Sequence, residues 1–224
     1  MYVGIMQATM DPVDIISKAA GKSTDKSNNS VKRVNTCVER EHFSVLEHAF
    51  VTFEISGVSI ALMRQLLRHR MASPTEKSLR YVEVTSEKFC PILPPDIEEN
   101  DDALYIYDQA MCHVMQAYSQ LIDLGIKRED ARMVLPLATT TSVMFTCNFR
   151  EFLHILKERL SKGAQWEIRE LVALMYSAIH KYYKLEQDSS YIEDNFFDLP
   201  AVMNLLRSYD ETGILSGYHT YSQE

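Results

Sequence analysis

The sequence predicts an α+β protein, with a central antiparallel or mixed sheet flanked by helices. Three observations carry that expectation. Leu104 to Ile122 and Trp166 to Tyr182 place apolar residues at helical spacing. Ala49 to Ser56 alternates instead, with Val51, Phe53 and Ile55 apolar and Thr52, Glu54 and Ser56 polar. Strands and helices also follow one another without the βαβ rhythm of a parallel sheet.

Taken in order, Tyr2 to Gln7 reads as a short strand, and a helix starts at Asp11 with Pro12 in its first turn. Residues 21–30 form a polar loop, and Val31 to Glu41 a helix. Gly57 ends the alternating strand, and Ser59 caps a helix that runs to about Arg70. A loop with Pro74 follows, then a strand from Leu79 to Val84 and a proline-stiffened connection from Phe89 to Pro95. Gly125 stops the first long helix, and a short helix through Arg132 leads to Pro136. Thr139 to Cys147 suits a strand and Phe149 to Leu160 a helix. Residues 190–224 read as a C-terminal extension, with a short helix near Leu199 to Arg207 before a loose tail. No repeat or linker divides the chain, so a single domain over residues 1–224 is expected.

The net charge of −8 argues against a surface that grips nucleic acid broadly, but leaves room for a local arginine cluster on a small phosphorylated ligand. No apolar run approaches the ~20 residues that span a bilayer. The N-terminus lacks a basic segment ahead of an apolar core, so a cytoplasmic protein is expected. Cys37, Cys90, Cys112 and Cys147 form no Cys-x-x-Cys pair. They read as buried reduced thiols, and no metal site is expected.

Arginines and hydrogen-bonding side chains gather in one stretch. On a helix reaching Arg70, Gln65, Arg68 and His69 share a face, and Arg70 complements the helix dipole. Ser73, Thr75, Glu76, Ser78 and Arg80 follow. Arginine forks and serine hydroxyls suit a phosphate or carboxylate, but a solvated helix end accounts for the same residues equally well.

The run Arg68-His69-Arg70-Met71-Ala72-Ser73-Pro74-Thr75-Glu76-Lys77-Ser78-Leu79-Arg80-Tyr81 resembles the signature of flavin-dependent thymidylate synthases, R-H-R-x-x-S-x-N-E-x-S-x-R-Y. Thr75 is the one fixed position that differs. Further segments are similar to the family in order and spacing: His42 to His48, Ala131 to Pro136, Asn148-Phe149-Arg150 with Arg159, and Ala164 to Arg169.

The resemblance implies methylation of dUMP to dTMP. The carbon would come from methylenetetrahydrofolate and the hydride from FAD that NADPH reduces. It also implies a homotetramer with active sites where subunits meet. Carried over, Ser44, Glu47, Arg68, His69, Arg70, Glu76, Asn148 and His154 would hold FAD. Gln65, Arg68, Glu76, Ser78, Arg80, Arg132 and Arg159 would surround dUMP. Arg159 and His42 would be catalytic, with His42 near the flavin or the folate. No cysteine stands in the Pro-Cys-His setting of the unrelated folate-only enzymes. Departures from the pattern fall on the flavin side: Thr75 for Asn, His154 for a frequent Asn, and Gly163 for a frequent His. Two other outcomes use the same motifs: a hydroxymethylated nucleotide formed when water captures the methylene, and a nucleotide-binding relative without catalysis.

Overall fold

The computed structural model describes residues 1–22, 31–186 and 195–215. Strand β1 (Tyr2–Ala8) leads to helices α1 (Pro12–Lys22) and α2 (Val31–Glu39), a 3-10 turn over Phe43–His48, and strand β2 (Phe50–Ser59). Helix α3 (Ile60–Leu66), strand β3 (Ala72–Glu76) and helices α4 (Pro95–Glu98), α5 (Asp101–Asp123) and α6 (Arg128–Ala131) follow. A 3-10 turn over Arg132–Val134 precedes strand β4 (Thr140–Asn148). Helices α7 (Phe149–Arg159), α8 (Trp166–Glu186) and α9 (Pro200–Tyr209) complete the order, with a 3-10 turn at Phe196–Asp198 before α9.

The strands form one sheet in the order β1-β2-β4-β3. Its pairing is antiparallel. Thr52 and Thr146 pair their hydroxyls across β2 and β4 at 2.9 Å. The expected α+β class with a central sheet and helices is therefore present.

The described chain groups into two compact units. The first holds Met1, 56–67 and 75–143; the second holds 2–55, 68–74 and the described residues from 144 onward.

The second unit is built on an aromatic core. Phe149, Phe152, Phe196, Phe197, Tyr176 and Tyr183 are all but inaccessible, and their rings meet in tilted and edge-on pairs such as Phe149–Phe196 at 5.0 Å. Such pairs add to the burial energy of the rings themselves. Tyr183 donates its hydroxyl to the Thr9 carbonyl at 2.7 Å, which anchors α8 at the end of β1.

The first unit has a smaller core. Val84, Met115, Tyr118 and Ala131 are buried, with Leu79, Phe89 and Leu121 packed against them. Only Met115 and Tyr118 of the 23-residue α5 are buried, so this helix is largely solvated. Asn100 caps its start by accepting from the Ala103 N–H, and Gly125, at φ 79°, turns the chain at its end.

Several expectations are corrected. The helix capped by Ser59 ends at Leu66, not Arg70, so Gln65, Arg68 and His69 do not share one helical face. Tertiary contacts of His69 override the local propensity there. The ladder strand after it is Ala72–Glu76, while Leu79 to Val84 is turn and irregular chain. β3 lies at the sheet edge, where Pro74 is tolerated. Leu79 and Val84 serve instead as anchors in the small core, and the Val84 N–H donates to the Tyr118 hydroxyl. Gly57 does not end β2; it sits inside it at φ 69°, where a side chain would be strained.

Only Cys147 of the four cysteines is buried; Cys90 and Cys112 are exposed and Cys37 is intermediate. Cys112 lies on the solvated side of α5. Of the polar loop expected at 21–30, Gly21 and Lys22 belong to α1 instead, and residues 23–30 lie outside the described residues. The loose tail beyond residue 215 is outside them as well. The short helix near Leu199 is present as Pro200–Tyr209.

Candidate functional site

In the second unit the site is organised by α7. Asn148 caps the helix, its side-chain oxygen accepting from the Glu151 N–H at 2.9 Å. The helical period then places Arg150, His154 and Lys157 on one exposed face. That face lines a cleft of about 480 Å³ together with Asn148, Glu47 and Tyr209. Met71 of the signature and Phe43 add apolar surface to it. Glu47 forms an ion pair with Arg150, and Lys157 lies 5.9 Å from the centre of the Tyr209 ring.

Behind this face lies a buried polar network. His69 is 6% exposed. Its Nε2 accepts from Arg159 Nε at 2.9 Å, and its Nδ1 lies 3.5 Å from Glu151 Oε1. The His154 ring stands edge-on to it at 5.7 Å. Burial, and then the charges of Arg159 and His154, lower the His69 pKa to about 4, so the imidazole is neutral at physiological pH. Burial raises the Glu151 carboxyl above its ordinary range. Arg68 and Arg70 flank His69 and are exposed, and no described residue pairs with the side chain of either.

Glu47, Asn148 and His154 of the expected flavin-holding set are thus brought to one cleft, and His69 lies buried behind it. His42 and Ser44 are exposed on the chain beside Phe43 and are not among the described residues of the cleft wall. The sequence reading missed Glu151, Lys157 and Tyr209. The spacing of Arg150, His154 and Lys157 was a signal that could have shown the cationic face in advance.

The first unit carries most of the expected nucleotide set. Gln65 is half-buried on α3, Glu76 on β3, and Ser78 just beyond it. The Arg80 N–H donates to Ser78 Oγ at 3.3 Å. Arg80 also places Nε at 3.2 Å and Nη2 at 2.9 Å from Glu129 Oε2. Arg132 Nε donates to the Glu129 carbonyl at 3.3 Å. Glu129, which the sequence reading did not single out, therefore gathers both arginines. Its place three residues before Arg132 on a short helix was the available signal.

The donor sets fit the groups the resemblance named. A flavin dinucleotide offers a pyrophosphate and flat rings. The second unit offers Arg68, Arg70, Arg150 and Lys157 as cations, with Tyr209 and Phe43 as flat surfaces. Among the described residues no group of three His, Cys, Asp or Glu side chains could hold a metal ion. No described helix is long and apolar enough to cross a membrane.

The fold is α+β, and the cleft along α7 with its exposed cations has the chemistry that suits a phosphorylated, ring-bearing ligand. Comparison with known proteins gives the class a family. Residues 5–183 match the model described as thymidylate synthase complementing protein. The flavin-dependent thymidylate synthase of Geobacter sulfurreducens is 36% identical over 186 residues, covering 78% of this chain and 80% of that one. The enzyme of the same name from Pyrococcus abyssi is 33% identical, covering 80% and 79%. Among solved structures, thymidylate synthase X from Helicobacter pylori with FAD and dUMP aligns with a TM-score of 0.67 and 25% identity, over 82% of this chain and 97% of that one. The chain belongs to the flavin-dependent thymidylate synthase family.

Proposed function

We propose that this protein methylates dUMP to dTMP, using methylenetetrahydrofolate as carbon donor and FAD, reduced by NADPH, as hydride donor. The observation that carries the reading is the family match over residues 5–183, with the nucleotide half of the signature, Ser78 to Arg80, intact within it.

Each set of residues has a physical task. Ser78 and Arg80 suit the phosphate of dUMP, which carries nearly two negative charges. Phosphate binding on the Nε/Nη2 edge of Arg80 would exchange the Glu129 carboxylate for the phosphate, one anion for another. Arg132 and Gln65 serve the same nucleotide. Arg159 holds a fixed cation toward the uracil and stabilises the negative charge that develops when a nucleophile adds to the ring. Arg68, Arg70, Asn148, His154 and Glu47 hold FAD, with Ser44, His69 and Glu76 as the further contacts the family pattern assigns. Bound FAD would supply the redox chemistry, which no side chain here can provide. His42 serves the flavin or folate side. The protein would work as a single functional domain in a cytoplasmic homotetramer whose active sites form where subunits meet.

The test is a visible and ultraviolet spectrum of the purified protein before and after adding dUMP. A flavin absorbance that changes on titration with dUMP is expected. Protein that stays colourless after soaking in FAD would overturn the reading and favour a non-catalytic nucleotide binder.

A further inference from the structure

Glu151 also lines the α7 cleft but has no part in the reaction as described, and its position is costly. It sits in the first turn of α7, 7% exposed, followed by the buried Phe152 and Leu153. A buried carboxyl without a partner is unfavourable, and an apolar side chain would suit this face of the helix better.

Its neighbours explain what it does. Arginine stays protonated in proteins, so Arg159 Nε can only donate. At 2.9 Å it therefore donates into a bare lone pair on His69 Nε2. A neutral imidazole keeps one proton, and here that proton must be on Nδ1. Nδ1 faces Glu151 Oε1 at 3.5 Å, an electrostatic contact longer than a normal hydrogen bond. A protonated His69 would set N–H against N–H at Arg159. The opposite tautomer would do the same and leave Nδ1 bare before a carboxyl oxygen. The backbone at Glu151 is held by the Asn148 cap, which accepts from its N–H.

We propose that Glu151 is a positioning residue: it holds His69 in the Nδ1–H form, so that Nε2 accepts from Arg159 Nε and fixes the plane of the guanidinium. His154 stands edge-on to His69 and packs the ring from the side, and Arg150 and Cys147 are further ionisable groups that face Glu151. The orienting third group in catalytic triads works on the same logic. The functional consequence rests on the role given above to Arg159, but the tautomer does not.

The experiment uses the full chain with nitrogen-15 in its histidines, and Glu151→Leu and Glu151→Gln variants. Ring-nitrogen NMR, with His69 assigned by loss of its signals in His69→Gln, reads the tautomer directly. Wild-type His69 is expected to carry its proton on Nδ1. Glu151→Leu is expected to lose that preference, and Glu151→Gln, which keeps a carbonyl oxygen, to retain it. Turnover of dUMP should fall about tenfold to a hundredfold in kcat for the leucine variant, as for outer partners that orient a ligand, with a smaller change in KM. The glutamine variant should recover most of it. A proton on Nε2 of wild-type His69 would overturn the proposal, as would an unchanged tautomer and kcat in Glu151→Leu. If the leucine variant fails to fold, Arg159→Met decides: it removes the donor at Nε2, so the Nδ1–H form is expected to persist there through Glu151 alone, and its loss would overturn the proposal. Absence of dUMP turnover in wild-type protein with the Nδ1–H tautomer intact would count against the function, not against this arrangement.

Discussion

The two units hold their arginines in opposite ways. In the second, Arg159 is half-buried and donates into a buried neutral histidine, on a helix packed over an aromatic core. In the first, Arg80 is exposed, bonded to a partly exposed carboxylate, beside a core of four buried residues. A cation held by a buried network is preorganised and suited to stabilising charge at one place. A cation resting on a surface carboxylate gives up little in exchanging it for a phosphate, because exposed ion pairs contribute about 0–1 kcal/mol. Under the proposed function, the difference would separate a residue for the transition state from residues for binding.

That contrast can be broken in several places. Phe197 touches Phe149, Phe152, Tyr176 and Phe196, so Phe197→Ala should cost about 3–5 kcal/mol by urea unfolding. A loss below 1 kcal/mol would refute the aromatic core as the base of the second unit. Arg159→Ala should lower kcat by roughly 10²–10³-fold with the circular dichroism spectrum unchanged. Near-normal turnover in this variant would remove Arg159 from the chemistry. Arg80→Ala should instead weaken dUMP binding by about 1.5–3 kcal/mol, the range for a hydrogen bond to a charged group, with flavin content preserved. An effect confined to kcat would erase the distinction drawn here.

Acid should act through His69. Its pKa is about 4 in the folded chain against 6.5 as its ordinary value, so the unfolded chain binds the extra proton first. Stability therefore falls as pH drops from about 6.5 toward 4. Glu151, whose carboxyl is raised, works in the opposite direction below neutral pH, while Arg159 and His154 share the burden on the charged imidazole. Urea midpoints at two pH values should show a steeper acid loss in wild type than in His69→Gln; equal slopes would contradict the neutral buried histidine. The smallest effect is expected at Gly163. A Cβ added there would meet no atom within 4 Å, so Gly163→Ala should change stability by less than about 0.5 kcal/mol.

Much of this was legible in the chain. Val51, Phe53 and Ile55 marked β2, the apolar stripe from Leu104 marked α5, and the signature marked the family. β3 was not legible, because Ala-Ser-Pro-Thr-Glu has no strand pattern, and only its place at the sheet edge makes it a strand. The reach of α3 was overestimated because His69 is claimed by Arg159 and Glu151, from a segment some 80–90 residues away. Local patterns cannot carry that information. Glu129 and Glu151 were missed for a related reason: a carboxylate becomes informative only when its arginine or histidine partner is seen beside it.

The most direct test of the central claim is the mass of the nucleotide formed from dUMP, methylenetetrahydrofolate, FAD and NADPH by the purified protein. The expected product is dTMP. A hydroxymethylated pyrimidine nucleotide, or dUMP returned unchanged by protein that has bound flavin, would contradict it.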